Sequence, residues 1–499
     1  MTDTHRRPTA RIHIESRECG PEVLERLTGA TYFPERLLGP SIVTTVCRAG
    51  GHLLYVTAPS VIDGEEQVDY YLGLLLGGAR AADPERLRRM RALVRVLPLD
   101  DASTRWLSTK VLDPVNPRAA EVRSQLREFV QVHRSAGADV RLSYFEPSEP
   151  LEELARELGV PGTQPSSAHI PLGTKHTGRQ IFGAAGIAVP RGSGVCHDLG
   201  ALASAVAALA RSGLRRLVLK LDSTAFGGGL GNALLTLDDD IASPDGPGVE
   251  ERVARALPGA TLMDPKLTWH EYVTLMKDDG VIVEEMITDV PLHSPSFQGR
   301  LTERGTVEAV STHDQVFGDD GQSYHGCSFP ADAAYRRQLI EQGLRVGEVL
   351  RERGVGSGDY GVDFLATREG DGWRLLGCEI NLRATATKHP FTMAVGLLGQ
   401  GPTPDGRFEV DGAEYVYQAS DVIMDRRYEG LRPARLIEAV TASPIGYDPV
   451  RRTGVVLHLL SPVTEFGKFG ALCIGRSHAQ ASALMRDVRA LADRLAEKG

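Results

Sequence analysis

The residues with the plainest chemistry are Asp363, Glu379, Asn381 and Arg383, within residues 358–385. This stretch reads as a β-hairpin. Val362, Phe364 and Leu365 give the first strand its apolar and aromatic content, and Trp373, Leu375, Leu376 and Ile380 do so for the second. Arg368-Glu369-Gly370-Asp371-Gly372 supplies the turn residues. A turn centred on Asp371 sets Asp363 across from Glu379. Side chains alternate along a strand, so Glu379, Asn381 and Arg383 share one face. Opposed Cβ atoms in a strand pair lie about 5 Å apart, and like charges there repel. Two carboxylates and an amide oxygen so placed call for a cation, and hard oxygen ligands suit Mg²⁺. The alternative is a solvated acidic ribbon, for which the interleaved residues are too apolar.

Lysine is scarce, with eight against 48 arginines, and two of the eight sit where phosphate chemistry wants them. Lys220 lies in the apolar run 217–221, where a buried ammonium is costly unless an anion meets it. The loop after it, 223–232, contains Ser223, Thr224, Gly227, Gly228 and Gly229 and no proline. Such a loop exposes backbone N–H groups to phosphates. It has neither the GxxxxGK[ST] nor the GxGxxG spacing. Lys175 falls in the first turn of a helix expected from Thr174 to Ala185, with Gly186 as its cap. A cation there opposes the helix dipole, so a phosphate partner would account for it. Residues 281–287 form a short buried strand that turns acidic at Glu284-Glu285. Its edge, Glu285, Met286 and Ile287, suits a purine ring. Residues 307–317 form another strand, whose Thr312, His313, Asp314 and Gln315 would line a polar cleft. His313 taken alone reads as a structural histidine.

These residues need a frame, and the spacing predicts an α/β one. In residues 1–165, strands at 41–46, 52–57, 94–97 and 140–145 alternate with helices at 85–93, 119–135 and 151–158, which argues for a parallel sheet. This unit either forms one wall of a substrate cleft or is purely structural. Further helices are expected at 199–211, 269–276, 336–353, after His389 to Leu398, and at 477–498. Strands are expected at 414–418 and 455–460, and 461–475 as a tight turn feeding a strand. The 499-residue chain carries a formal charge of −9 and no basic tract, which disfavours a nucleic-acid partner. The start, MTDTHRRPTARIHIES, has no signal-peptide core, and no apolar run approaches the roughly 20 residues that span a bilayer. Six scattered cysteines without a CxxC pair disfavour zinc or disulfides and fit a reducing cytoplasm.

Two lysines, a glycine-rich loop, a purine-sized strand edge and an acidic hairpin together resemble the ATP-grasp superfamily. The resemblance runs from about Gly173 to Phe391. Asp363 followed by Glu379-Ile380-Asn381-Leu382-Arg383 is similar to its E-x-N-x-R metal and catalytic pattern. The phrases ATYFPERLLGP, VDYYLGLL, STHDQVFG, GCSFPAD, KHPF and TEFGKFG are similar to the pheganomycin-type peptide ligases over nearly the whole chain. The resemblance implies a pre-ATP-grasp α/β domain at 1–165, a small lobe at 166–280, a catalytic lobe at 281–400 and a completing region at 401–499. It implies an ATP-dependent carboxylate–amine ligase acting through an acyl phosphate. Two Mg²⁺ ions, or Mn²⁺ in their place, would sit on Asp363, Glu379 and Asn381. Lys175, Lys220 and the loop would hold the phosphates, and Arg383, with Lys220, would be catalytic. The hinge commonly carries a lysine where Glu285 stands, so adenine contacts rest more on backbone groups. Asp289 is the candidate for the ribose. Ser294, Gln298, His313, Asp314 and His389 are candidate contacts to a small-molecule carboxylate and an amino-acid or peptide amine. A kinase on the same fold, or a non-catalytic nucleotide-binding protein, are the alternatives. A homodimer is the default expectation.

Overall fold

The computed structural model describes residues 8–16, 18, 24, 35–76, 83–224, 229–242, 248–288, 291–318 and 324–497. Their strands form three sheets. The first joins β1 (Thr9–Ile14), β2 (His52–Thr57), β3 (Val94–Pro98) and β4 (Asp139–Tyr144), all parallel, in the order β3-β2-β1-β4. The helix Pro117–Ser135 buries Ala119, Val122, Leu126 and Val130, spaced three or four apart, against it. The parallel sheet is the one expected, with two differences. β1, whose Arg11 and His13 interrupt the apolar pattern, is an unanticipated inner strand. Residues 41–46, expected as a strand, instead lie in the helical stretch Leu38–Ser41 and Ile42–Arg48. Ile42, Val43 and Val46 have β-branched side chains, but burial against Ala394 and Leu397 overrides that preference.

The second sheet is small and antiparallel. β5 (Arg216–Leu221) lies between β6 (Asn232–Thr236) and the later strand β8 (Val281–Glu285), and β7 (Thr261–Leu262) pairs with β6. The helix Leu199–Arg211 turns Leu202, Ala203, Val206, Ala207 and Ala210 into its core.

The third sheet has ten strands. β9 (Leu292–His293), β10 (Pro295–Leu301), β11 (Val307–Phe317), β12 (Tyr324–Phe329), β13 (Gly358–Glu369) and β14 (Gly372–Asn381) form one half. β15 (Phe408–Val410), β16 (Ala413–Met424), β17 (Gly454–His458) and β18 (Lys468–Gly475) form the other. The path runs β14-β13-β10-β11-β12-β16-β18-β17, with β9 on β13 and β15 on β16. The C-terminal region therefore extends the hairpin's own sheet. Its residues share a core with the 38–48 helices and the helix Lys388–Leu398. The helices Lys175–Ala184 and Ala333–Glu352 pack on the hairpin half. Close approach there uses glycine. A Cβ at Gly377 would stand 2.6 Å from Phe182, and one at Gly343 2.2 Å from Phe297. Among the described residues, no helix is long and apolar enough to cross a membrane.

Candidate active site

The hairpin pairs Asp363 with Glu379 and Gly361 with Asn381. Its turn is Gly370-Asp371, enclosed by the Glu369–Gly372 pair, half a residue from the centre expected. A β-bulge absorbs the difference. Phe364 pairs with Gly377 and Asp363 with Glu379, so Cys378 is the extra residue on β14.

Two lysines reach this strand from the other lobe and from the helix beside it. Lys175 Nζ lies 3.1 Å from Glu379 Oε1 and donates to the Ser223 carbonyl at 2.6 Å. The helix that carries it is capped by Thr174, and the His176 N–H donates to Asp222 Oδ1 at 2.7 Å. Helix start and β5 end are thus tied together. Lys220 Nζ lies 2.5 Å from Glu284 Oε2 and 3.7 Å from Cys378 Sγ. Arg179 holds the other oxygen of Glu284. Burial opposes the charge on Lys220, but the carboxylates of Glu284 and Glu379 favour it and its pKa is raised, so it stays cationic.

The two facing carboxyls differ. Burial, then the charge of Glu379, pushes Asp363 up to about 7. Burial pushes Glu379 up too, but Lys175, Arg383 and Lys220 hold it below the ordinary value. Asp363 accepts from Gln315 Nε2 at 2.7 Å and from Asn381 Nδ2 at 3.2 Å. Gln315 is thus one of the polar group on β11 that does meet the acidic pair. Arg383 Nε lies 3.5 Å from Glu146 Oε1. A cavity of about 120 Å³ opens here, lined by Asn381, Arg383, Gly173 and Thr224 on one side and by Glu18 and Glu146 on the other. The N-terminal domain therefore forms one wall of the cleft.

Thr224, Glu379, Asn381 and Arg383 line this cavity; behind them Lys175 joins Glu379 to Ser223, Asp363 meets Asn381, and Lys220 bridges Glu284 and Cys378. Gly229 follows with a φ of +82°. Gly227, Gly228 and Asp289 lie outside the described residues. On the hinge, the N–H of Glu285 donates to the Arg191 carbonyl at 2.7 Å, and that of Met286 to the Arg216 carbonyl at 3.0 Å. Ile287 lies two residues past the end of β8. Glu285 itself forms a two-bond pair with Arg191 at 2.9 and 3.0 Å.

The other candidates are placed differently. Gln298 donates to Ser296 and accepts from Thr385, two residues past Arg383. Ser294 donates to the Phe364 carbonyl at 3.4 Å. Asp314 accepts from the Tyr335 hydroxyl and the Asp332 N–H, anchoring the helix Ala333–Glu352. His313 is fully buried against Tyr417, Phe329 and Phe391. His389 is buried with Nε2 on Asp421 Oδ1 at 2.7 Å, and His458 Nε2 meets the same oxygen at 3.1 Å. Both histidines act within the core, away from the cleft. Glu18 and Glu146 were not anticipated. Their sequence signal is position: each closely follows the carboxyl end of a parallel strand, where open α/β sheets bind ligands.

This arrangement, two lobes with lysines facing an acidic hairpin, defines an ATP-grasp enzyme. Solved structures carry the same fold over nearly the full chain. The biotin carboxylase domain of Hydrogenobacter thermophilus 2-oxoglutarate carboxylase gives a TM-score of 0.53 at 14% identity, over 97% of this chain and 90% of that one. An N5-carboxyaminoimidazole ribonucleotide synthetase in complex with ADP gives 0.52 at 12% identity, over 98% of each chain. Residues 435–488 match the family model of the PGM1 C-terminal domain. Across 491 residues the chain is 30% identical to L-propargylglycine–L-glutamate ligase of Streptantibioticus cattleyicolor, covering 97% of this chain and 94% of that one. The chain belongs to the pheganomycin-type peptide ligases of the ATP-grasp superfamily, and it is an ATP-dependent enzyme that joins a carboxylate to an amine.

Proposed function

We propose that the enzyme activates the carboxylate of an amino acid as an acyl phosphate and joins it to the amine of an amino acid or peptide in natural-product biosynthesis. ADP and phosphate leave. The observation that carries this reading is the convergence of Asp363, Glu379, Asn381 and Arg383 on one edge of the hairpin, facing Lys175 and Lys220. The relative from Streptantibioticus cattleyicolor, which by its name joins L-propargylglycine to L-glutamate, supports an amino acid on each side.

Each side chain has a physical task. Lys175 and Lys220 exchange Glu379 and Glu284 for phosphate oxygens, and their charge favours a triphosphate held between the lobes. Ser223, Thr224 and the glycine loop through Gly229 cover those phosphates and exclude water, which would otherwise hydrolyse the acyl phosphate. The N–H groups of Glu285 and Met286 are engaged, so the adenine contact falls to Ile287 and nearby carbonyls, with Asp289 for the ribose. Arg383 binds the donor carboxylate through two N–H groups and then stabilises the tetrahedral oxyanion. A kinase forms no such oxyanion, which is why Arg383 favours the ligase.

Mg²⁺ fits the donor set. Burial and the facing charge of Glu379 hold the Asp363 carboxyl at about 7, a cost a bound cation would offset, and all the donors are hard oxygens. Asp363, Glu379 and Asn381 would hold two ions, with Mn²⁺ as a substitute, and the metal would neutralise triphosphate charge. A phosphate-release screen of amino acids, with and without a second amine and read by mass spectrometry, tests the reading. Amine-dependent phosphate release with an amide product is expected. A phosphorylated product that persists in the presence of amine would make the enzyme a kinase.

A further inference from the structure

We infer that Ser296, Gln298 and Thr385 form a one-way hydrogen-bond chain that positions the Asp363 carboxylate for a divalent cation. The inference rests on Asp363 holding metal in the proposed reaction and names three uncharged residues that set its orientation.

Strand register assembles the chain. β10 pairs antiparallel with β13, with Ser296 opposite Asp363 and Gln298 opposite Gly361. Residues two apart on a strand share a face, so Ser296 and Gln298 lie on the face that carries Asp363. Ser296 hydrogen-bonds the Asp363 carboxyl. Gln298 Nε2 donates to Ser296 Oγ at 2.8 Å. Thr385 Oγ1 donates to Gln298 Oε1 at 2.7 Å, and Thr387 Oγ1 lies 2.9 Å from Thr385 Oγ1. The chain thus runs from just before the helix Lys388–Leu398, across β10, to the acidic pair.

Gly361 makes room for it. A Cβ there would stand 2.5 Å from Thr385 Cγ2 and 3.1 Å from Gln298 Oε1. Ser296, Gln298 and Thr387 are all buried, so bulk water has little access to these bonds. The cavity of about 120 Å³ is lined by Asn381 and Arg383 but not by Gln298. Gln298 therefore reaches the chemistry through Ser296 rather than by facing that cavity.

Chemistry fixes the direction. A carboxylate that binds a cation is ionised and only accepts hydrogen bonds, so Ser296 directs its one proton to Asp363. Ser296 Oγ must then accept, which takes the amide nitrogen of Gln298. The amide oxygen is left for the Thr385 hydroxyl, and Thr387 gives its own proton to Thr385. Every link points toward Asp363, and bonds aligned in this way polarise one another. Gln315 and Asn381 donate to the same carboxylate from its other sides. Donors so placed fix the orientation of a metal ligand and add no charge that would repel the ion.

The test measures metal affinity on the full-length enzyme. Mn²⁺ is titrated into the enzyme with ADP bound, and electron paramagnetic resonance reports the free ion. Ser296→Ala, Gln298→Met and Thr385→Val each remove a link with little change in volume, and Thr385→Ser keeps the hydroxyl. Ser296→Ala should weaken Mn²⁺ binding by about 100-fold, and Gln298→Met and Thr385→Val by about 10-fold, the range for partners that orient metal ligands. Thr385→Ser should match the wild type. The Mg²⁺ concentration that half-saturates phosphate release should rise in step, while donor and amine KM at saturating Mg²⁺ stay near wild type. Melting temperature reports folding. Wild-type Mn²⁺ affinity in Ser296→Ala and Gln298→Met would overturn the inference. So would a loss confined to donor or amine KM, which would return Gln298 to the substrate. Asp363→Asn separates this failure from that of the underlying reading. If it loses Mn²⁺ while the chain variants keep it, Asp363 holds metal without the chain; if it also keeps Mn²⁺, the metal assignment falls with the inference.

Discussion

The Sγ of Cys378 lies 3.7 Å from Nζ of Lys220, although the two belong to different sheets. The bulge explains it. One extra residue on β14 turns consecutive side chains toward the lysines, Cys378 to Lys220 and Glu379 to Lys175. Burial pushes the Cys378 thiol up, so it meets Lys220 as a neutral group. Its size should therefore matter more than its chemistry. Cys378→Ala is expected to keep turnover within about threefold. Cys378→Leu should push the Lys220 ammonium aside and lower turnover by on the order of 10²-fold, the scale of a 1 Å misplacement. Steady-state phosphate release on both variants checks this, and equal rates would remove the steric role.

Lys220→Ala and Glu379→Ala are expected to fold and to lose turnover by on the order of 10²-fold or more, since each removes charge placed for the transition state. Circular dichroism and phosphate release separate folding from activity. Near-wild-type product formation by either variant would take that residue out of the mechanism.

The hairpin was legible because alternation and opposed charge are local properties. The Asp363–Glu379 register emerged correctly even though the turn lies at Gly370-Asp371, because the bulge at Cys378 shifts the pairing back. Lys175 and Lys220 were legible for a related reason: each sits where a lysine is locally unfavourable. Residues 42–46 misled because β-branched side chains favour strands until a neighbouring helix buries them. Glu18 and Glu146 stayed hidden because their meaning depends on a strand order that brings residue 18 beside residue 146. His313 taken alone already reads as structural, and packing encloses it, as it does His389, among core side chains.

Arg383→Ala should impair amide formation more than nucleotide binding. The guanidinium lies beside Glu146 and lines the cavity of about 120 Å³ with Thr224 and Asn381. Calorimetry with MgADP, set against amide yield by mass spectrometry, decides the matter. Loss of ADP affinity on the same scale as amide formation would reassign Arg383 to the nucleotide.

Gly377→Ala should destabilise the protein by about 1–3 kcal/mol, the usual cost of overpacking. The new Cβ would stand 2.6 Å from the Phe182 ring, which is 1% exposed and enclosed by the hairpin. That contact seats the Lys175 helix on β14, so a drop in Lys175-dependent ATP turnover should accompany the loss. Urea unfolding gives the stability change, and an unchanged midpoint would mean the ring shifts freely.

His313 sets an acid limit on stability. Its ring is fully buried, with Nε2 2.7 Å from the Tyr417 hydroxyl, and burial pushes its pKa down to about 3. The folded chain thus holds a neutral imidazole, while the unfolded chain protonates it near 6.5. Below that pH the unfolded state binds a proton that the native state refuses, so stability present above pH 6.5 is lost as pH falls toward 3. The full slope for one group is about 1.4 kcal/mol per pH unit, so going from pH 7 to pH 5 gives a loss of about 2 kcal/mol from His313 alone. His313→Gln keeps a side chain able to bond the Tyr417 hydroxyl but cannot titrate. Its urea stability should therefore fall less between pH 7 and pH 5 than that of the wild type, by about 2 kcal/mol. An identical fall in both proteins would show that the ring takes up its proton without unfolding.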